Sequence, residues 1–359
     1  MFNGEIIEQV TQYMYLGMLF DCSGNMKAAP NNMKLRALKA IFKLRNSLKS
    51  CNIKPVLSMK LFDQLIKPIC LYGSEIWGNL HRKISKDDKQ IFKLFDELPV
   101  EKIHIRYCKY TLGVHSKAVN AAVQGGLGRY PIYIDLILGM YKFLIHIRDN
   151  EPDNEIIEAA YRECTSLHKA GKKSCLACMH NLNKMMGMPN ANDIGKVHLA
   201  TLRVKLKQKF INEWRERVYG RGKNQGEGKL STYRVLKSAF QYEGYLHDII
   251  CNRDRSALCR LRISAHRLQI EQGRYNKTPR EERYCPHCSK SGNFCIESEM
   301  HCVVECPRFE GIRETTFKLI AYENKNFDML SPHNKFIYLM TAEGETVRAF
   351  GSLCSVIIY

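Results

Sequence analysis

The sequence predicts a mainly α-helical protein with a short β element at its N-terminal end and a small metal-pinned module near its C-terminal end. Three observations carry that prediction. Apolar residues recur at helical spacing along most of the chain from Asn31 onward, strand-like alternation is confined to the first residues, and cysteine and histidine crowd together in "CPHCSKSGNFCIESEMHCVVECPRF", from Cys285 to Phe309. Of the 359 residues, 45% are apolar and spread along the chain, enough for two or three cores and too many for wholesale disorder.

The opening stretch "YMYLGMLF", followed by "DCSGN", alternates as a strand does and then turns, which predicts a strand or hairpin. From Asn31 to Lys49 the helical period places Leu35, Leu38, Ile41, Phe42 and Leu48 on one side, with Arg36, Lys39 and Lys43 opposite. Further helices are expected over "PVLSMKLFDQLIKPICLYGSEIW" from Pro55 and over "DDKQIFKLFDE" from Asp87. The longest apolar stretch, "YPIYIDLILGMYKFLIHI" from Tyr130, has nearly the length of a membrane span. It carries Asp135, Lys142 and His146, so it reads as a buried helix. Leu202, Leu206, Phe210 and Trp214 form a stripe at four-residue spacing, and its length favours helix over strand. "GRGKNQGEGK" from Gly220 reads as a linker. Beyond it, "SALCRLRISAHRLQIEQG" predicts one helix capped by Ser256 and stopped at Gly273, with Arg260 and Arg267 on a shared basic side.

Fifty-five Lys and Arg against 36 Asp and Glu leave a net charge of +19, which makes a polyanion, nucleic acid before anionic membrane, the expected partner. An odd count of 15 cysteines and a polar start, "MFNGEIIEQV", with no signal-peptide core predict reduced thiols in the nucleus or cytoplasm.

Cys285 and Cys288 bracket a tight "PH" turn that lets two thiolates bind one metal, and His301 and Cys306 follow from a short helix after the "SGN" loop. Three sulfurs and one imidazole saturate a tetrahedral zinc, so the expected site is structural, with no open position for chemistry. A zinc deaminase would need His-x-Glu ahead of Pro-Cys-x-x-Cys, and here the proline lies inside the pair. His287, Cys295 and Cys302 compete as ligands on spacing alone. "CLACMH", with Cys175, Cys178 and His180, lacks a second pair and reads as buried helix thiols, as do Cys70 and Cys259.

Taken together, "YMYLGMLFDCSGNM", "LFDQLIKPICLYGSEIWG", "VQGGLGRYPIYI", "LRISAHRLQIEQGRY" and the "CPHC…ESEMHCVVECPRFEGIR" cluster resemble the C-terminal part of the reverse transcriptase of LINE-type, non-LTR retrotransposons. The resemblance covers nearly the whole chain, in order. It implies a palm end closing at "YLG", a helical thumb that grips template and primer, and a Cys-Cys-His-Cys zinc element. The parent activity it implies is RNA-directed DNA synthesis, which needs paired aspartates holding two metal ions. In the family those precede "YLG" in a [FY]-x-D-D motif, and the residues ahead of "YLG" here contain no aspartate. The Asp87–Asp88 pair sits where a helix start would favour acidic residues. The "GRYP" stretch has Gly126 where the family carries a glutamate, and no nuclease carboxylate cluster follows the zinc element. Gly17 and Gly73 are expected in turns or close packing, and Tyr72 and Trp77 in the thumb core.

The expected organisation is a palm-end β element (1–27), a thumb-like helical region (28–115), a helical connection (116–219), a linker (220–230), basic helices with the zinc module (231–312) and a helical tail (313–359). The expected function is non-catalytic binding of RNA, DNA or an RNA–DNA hybrid, with no membrane association. Its expected contacts are Arg260, Arg262, Arg267, Arg274 and Lys277 beside the zinc module, and Arg36, Lys39 and Lys43 in the thumb. The competing expectation is a zinc-stabilised protein-interaction module from a decayed or repurposed element.

Overall fold

The computed structural model describes residues 8–24, 26–49, 51–78, 95–149, 155–172, 174–190, 193–220 and 229–359. Most of the helix expected from Asp87, including its Asp87–Asp88 pair, and most of the expected linker lie outside the described residues. The fold is mainly α, 69% helical, and among the described residues one two-stranded antiparallel sheet near the N-terminal end is the β element. Two compact units share the chain, each from separate segments: residues 1–47, 61–104 and 130–212 in the first, and 48–60, 105–129 and 213–359 in the second.

In the first unit, strand β1 (Gln12–Tyr15) pairs with β2 (Met18–Asp21), Tyr15 opposite Met18. The two turn residues, Leu16 and Gly17, both have positive φ, 46° and 79°, the geometry that matches the twist of a tight hairpin. Arg36 Nη1 donates to the Gly17 carbonyl at 3.0 Å and the Tyr72 hydroxyl to that of Leu16 at 2.5 Å, so the turn is tied to helix α1 (Ala28–Ser47) and to the 67–77 segment. Tyr72 is therefore half-exposed at the hairpin, a correction to its expected place in the core, whereas Trp77 is buried and donates from Nε1 to the Tyr72 carbonyl. Gly73 has φ 67°, and a Cβ there would come within 2.8 Å of Met18 Sδ; the close packing expected of it is observed.

Helix α1 turns a different face inward from the one its largest residues suggest. Met33, Ala37 and Ile41 are buried, while Leu35 and Phe42 are 58% and 64% exposed. Residues four apart form a single line along the helix, and the small Ala37 in its middle lets the neighbouring helix approach; Leu35 and Phe42, seven apart, lie on another line. The segment from Pro55 runs as helix to Leu61, widens into a π turn over Phe62–Ile66 and resumes at Lys67–Leu71. Pro68 explains the widening, because it has no N–H for an α-helical bond and its ring crowds the preceding turn.

The apolar stretch after Tyr130 is a buried helix, Tyr133–Asp149, as expected. Its Asp135 is paired with Lys67 at 3.1 Å and Arg203 at 3.6 Å. Among the described residues no helix is long and apolar enough to cross a membrane. Leu202, Leu206, Phe210 and Trp214 line one side of helix His198–Tyr219, each at most 1% exposed, which settles helix over strand for that stripe.

In the second unit the Gly344–Ile358 helix is the hub, packing against Asn252–Arg262, Glu310–Glu323 and Tyr245–Asp248. The single helix expected from Ser256 to Gly273 is two. The first, Asn252–Arg262, ends at Ser264, whose φ is 52°, and the second is Gln269–Tyr275. Gly273 lies inside the second helix, not at its end, and the Arg283 side chain packs on it so closely that a Cβ would meet Cγ at 2.6 Å. Arg260 and Arg267 therefore stand on different segments, and the shared basic helix side does not form.

Candidate metal centre

The module begins where Tyr284 and Ile296 form an isolated antiparallel bridge, with the Cys285 amide donating to the Cys295 carbonyl at 2.8 Å. Cys285 then opens the short helix Pro286–Lys290, so Pro286 sits at its start, where a missing N–H costs nothing, and Cys288 returns to the same side. The second pair comes from a π turn, His301–Glu305, with the Cys306 amide bonded to the His301 carbonyl at 2.8 Å. Both turns aim inward.

Cys285, Cys288, His301 and Cys306 are all buried, and their ligand atoms lie within 4.8 Å of one another, so the cluster could hold a metal ion. Cys285 Sγ is 3.8 Å from Cys306 Sγ, Cys288 Sγ is 3.9 Å from Cys306 Sγ, and His301 Nε2 is 3.5 Å from Cys288 Sγ. The imidazole thus presents Nε2 to the thiols. Its Nδ1 faces Glu305 Oε2 at 3.4 Å, four residues on. Burial pushes the Cys288 and Cys306 thiols above their ordinary range.

Two of the three competing ligands stand away from the cluster, and the third lies against it. His287 is exposed on the outside of its helix, and Cys302 is fully buried in the core, with burial pushing its thiol up and holding it protonated. Cys295 lies closer: its Sγ is 3.5 Å from His301 Nε2, the same separation as Cys288 Sγ, so it remains a competing ligand beside the four buried residues. No two of the 15 cysteines are joined by a disulfide. Cys175 and Cys178 remain helix thiols in the Cys175–Met186 helix, with burial raising the Cys175 thiol to about 12.

Comparison with protein-family models finds no match, and comparisons with curated proteins and with solved structures find none either.

Groups that sequence reasoning passed over support the centre. Arg313 Nη1 donates to the Cys306 carbonyl at 2.9 Å, and Ser298 Oγ accepts from the His301 amide at 3.1 Å. The module is also stitched to the break between the two basic helices: His266 Nε2 meets Glu299 Oε1 at 2.9 Å, and Glu297 Oε2 accepts from the Gln269 amide at 2.6 Å. Glu299 is buried, which opposes ionisation, but the His266 and Ser264 contacts outweigh that and hold its carboxyl below the usual range. A carboxylate four residues after His301 was the one readable signal for Glu305; nothing local marks Glu299 as the partner of His266.

The expected nucleic-acid contacts fall into three groups. Arg262 is 6% exposed, ion-paired with Glu243 at 2.8 Å and donating to the Met340 carbonyl, with its guanidinium over Tyr245; it is a core residue, a correction to its expected surface role. Arg274 is half-buried against Glu271 at 2.9 Å, Arg260 donates from Nε to the Gly113 carbonyl at 2.8 Å, and Arg36 serves the hairpin turn. Arg267, Lys277, Lys39 and Lys43 are exposed.

Proposed function

We propose that Cys285, Cys288, His301 and Cys306 form a structural zinc centre that shapes the basic second unit of a nucleic-acid-binding protein, and that the chain is the thumb and C-terminal part of a LINE-type reverse transcriptase. The observation that carries the zinc assignment is the size of the donor set. Tetrahedral zinc with bonds of about 2.3 Å to sulfur and about 2.05 Å to nitrogen has edges of about 3.8 Å between sulfurs and about 3.6 Å from sulfur to nitrogen. Three of the six separations, 3.8, 3.9 and 3.5 Å, match those edges, and all six lie within 4.8 Å. Thiolate-rich donors favour zinc over the hard oxygen-seeking cations, and four protein ligands leave no place for a substrate. When bound, zinc supplies cross-linking; the chain's own residues set its orientation, Glu305 through His301 and Arg313 through the Cys306 carbonyl.

The nucleic-acid half of the proposal rests on the +19 net charge and on the ordered sequence resemblance. Its target is RNA, DNA or their hybrid, gripped through phosphates without synthesis. The alternative, a zinc-stabilised protein-interaction module, draws its support from Tyr13, Tyr15, Leu16, Leu35 and Phe42, which the first unit leaves exposed.

Elemental analysis and fluorescence anisotropy together test the reading. One zinc per chain is expected, lost in the His301→Ala, Cys306→Ser double variant together with protease resistance around residues 285–309, and retained in Cys295→Ser and His287→Ala. Retention of zinc by the double variant would remove the ligand assignment. Binding to RNA, duplex and hybrid at physiological salt supports the clamp; slight binding even at low salt moves the interaction module ahead.

A further inference from the structure

A cluster of cations gathers in the second unit around the loop Gly113–Lys117, far in sequence from the metal cluster. The loop leaves its helix through Gly113, at φ 66°, with the Val114 amide bonded back to the Lys109 carbonyl at 3.0 Å. Gly113 is pressed against the Asn252–Arg262 helix so tightly that a Cβ would fall 2.0 Å from Ser256 Oγ. Only glycine meets both demands, and the close approach brings the loop under Arg260.

Three cations then close on the loop's carbonyls. Arg260 Nε donates to Gly113 O at 2.8 Å, Lys109 Nζ to Ser116 O at 2.6 Å, and Lys229 Nζ to Lys117 O at 3.1 Å. Lys117 itself is the fourth cation, exposed at the loop end. The Arg260 guanidinium also lies over the Tyr359 ring, 4.8 Å from its centre, so its direction is fixed from two sides. Among the described residues no carboxylate pairs with any of these four. A helix C-terminal end carries about half a negative charge, which one lysine offsets. The other cations are surplus, and holding like charges together in this way costs free energy that an anion would return.

We propose that the Gly113–Lys117 loop, with Lys109, Lys117, Lys229 and Arg260 around it, is a phosphate-binding site. His115 completes it. The Lys117 amide donates to His115 Nδ1 at 3.1 Å, so the neutral ring carries its proton on Nε2 and offers that N–H outward as a further donor. Burial depresses the His115 pKa most, and Lys229, Arg260, Lys109 and Lys117 lower it further, so all four cations face the ring. The ligand chemistry is a phosphate oxyanion, supplied either by a nucleic-acid backbone or by a small phosphorylated molecule. For the first source the proposal rests on the nucleic-acid reading; for the site itself it does not.

The test is NMR of His115 in the zinc-loaded full chain, titrated separately with inorganic pyrophosphate, a short single-stranded oligonucleotide and the same oligonucleotide with an uncharged methylphosphonate backbone. Both charged ligands are expected to shift the His115 ring signals and raise its pKa, and the uncharged one to do neither. Lys117→Gln with Lys229→Gln should weaken both about tenfold or more, with zinc content and amide dispersion unchanged and Lys117→Arg restoring binding. A response to pyrophosphate alone keeps the site and rejects the nucleic-acid source. Oligonucleotide binding that leaves His115 unmoved, with pyrophosphate also silent, overturns the site while the nucleic-acid reading stands.

Discussion

His301 is held at both ring nitrogens, Nε2 toward the thiols and Nδ1 toward Glu305. A carboxylate on the far nitrogen fixes the tautomer and strengthens the ligating nitrogen, and losing such a partner lowers metal affinity about 10- to 100-fold. Glu305→Ala is therefore expected to hold zinc more weakly by that factor in competition with a chromophoric chelator, with unchanged one-to-one stoichiometry; equal affinity would show Glu305 to be a bystander. The His266–Glu299 pair behaves differently because both side chains are buried. Removing one partner of such a pair costs about 3–5 kcal/mol. Glu299→Ala should show that loss in urea unfolding of the zinc-loaded chain, and Glu299→Gln a smaller one, since the amide oxygen can still accept from the ring. Because the Glu299 carboxyl titrates below its ordinary range in the folded chain, its stabilising contribution is present above the unfolded value and is lost as pH falls through the folded one.

At the scale of elements, helix α1 separates apolar from buried. Leu35→Ser and Phe42→Ser, at exposed positions, should each change stability by no more than about 0.5 kcal/mol, whereas Phe210→Ala in the buried stripe should cost about 3–5 kcal/mol. Thermal and urea unfolding of the three variants checks the ranking, and a large loss at Phe42 would mean that its face is covered in solution. The same contrast explains what the sequence made legible. The stripe Leu202, Leu206, Phe210 and Trp214 was readable because each member is long and the period persists over about three turns. The hairpin was readable because a glycine interrupts an alternating run, and the buried Cys/His cluster because its members come in pairs at turn spacing. In α1 the burial is decided by a small residue, Ala37, whose size carries no hydrophobic signal. The break at Ser264 was hidden for another reason: no Gly or Pro marks it, and its partner Glu299 lies 35 residues downstream. The corner between Arg260 and Arg267 is thus a tertiary decision, and Arg262 went inward because Glu243 and Tyr245, on a separate segment, were waiting for it.

For the whole molecule, the +19 charge by itself predicts only that polyanions are attracted, and a general field and a built site respond differently to salt and to mutation. Each phosphate neutralised by a cation adds about 0.9 to the log–log salt slope on duplex DNA and about 0.7 on single strands. Lys39 and Lys43 are exposed in the first unit, and Arg267 and Lys277 in the second. If binding is a diffuse response to net charge, Lys39→Gln with Lys43→Gln and Arg267→Gln with Lys277→Gln each remove two charges and weaken binding alike. If the zinc-shaped second unit holds the phosphates, the second pair should lower the duplex slope by about 1.8, at about 0.9 for each of two lost contacts, and the first pair should leave it nearly unchanged. Zinc removal provides the independent arm. Arg267 lies between the His266 pair with Glu299 and the Gln269 bond to Glu297, so its position depends on the metal module, whereas Lys39 and Lys43 belong to α1 in the first unit. Chelation should therefore lower the duplex slope by about 0.9, the one contact of Arg267, and lower it no further in the Arg267→Gln with Lys277→Gln variant; a slope unaffected by chelation would separate the metal cluster from nucleic-acid binding altogether.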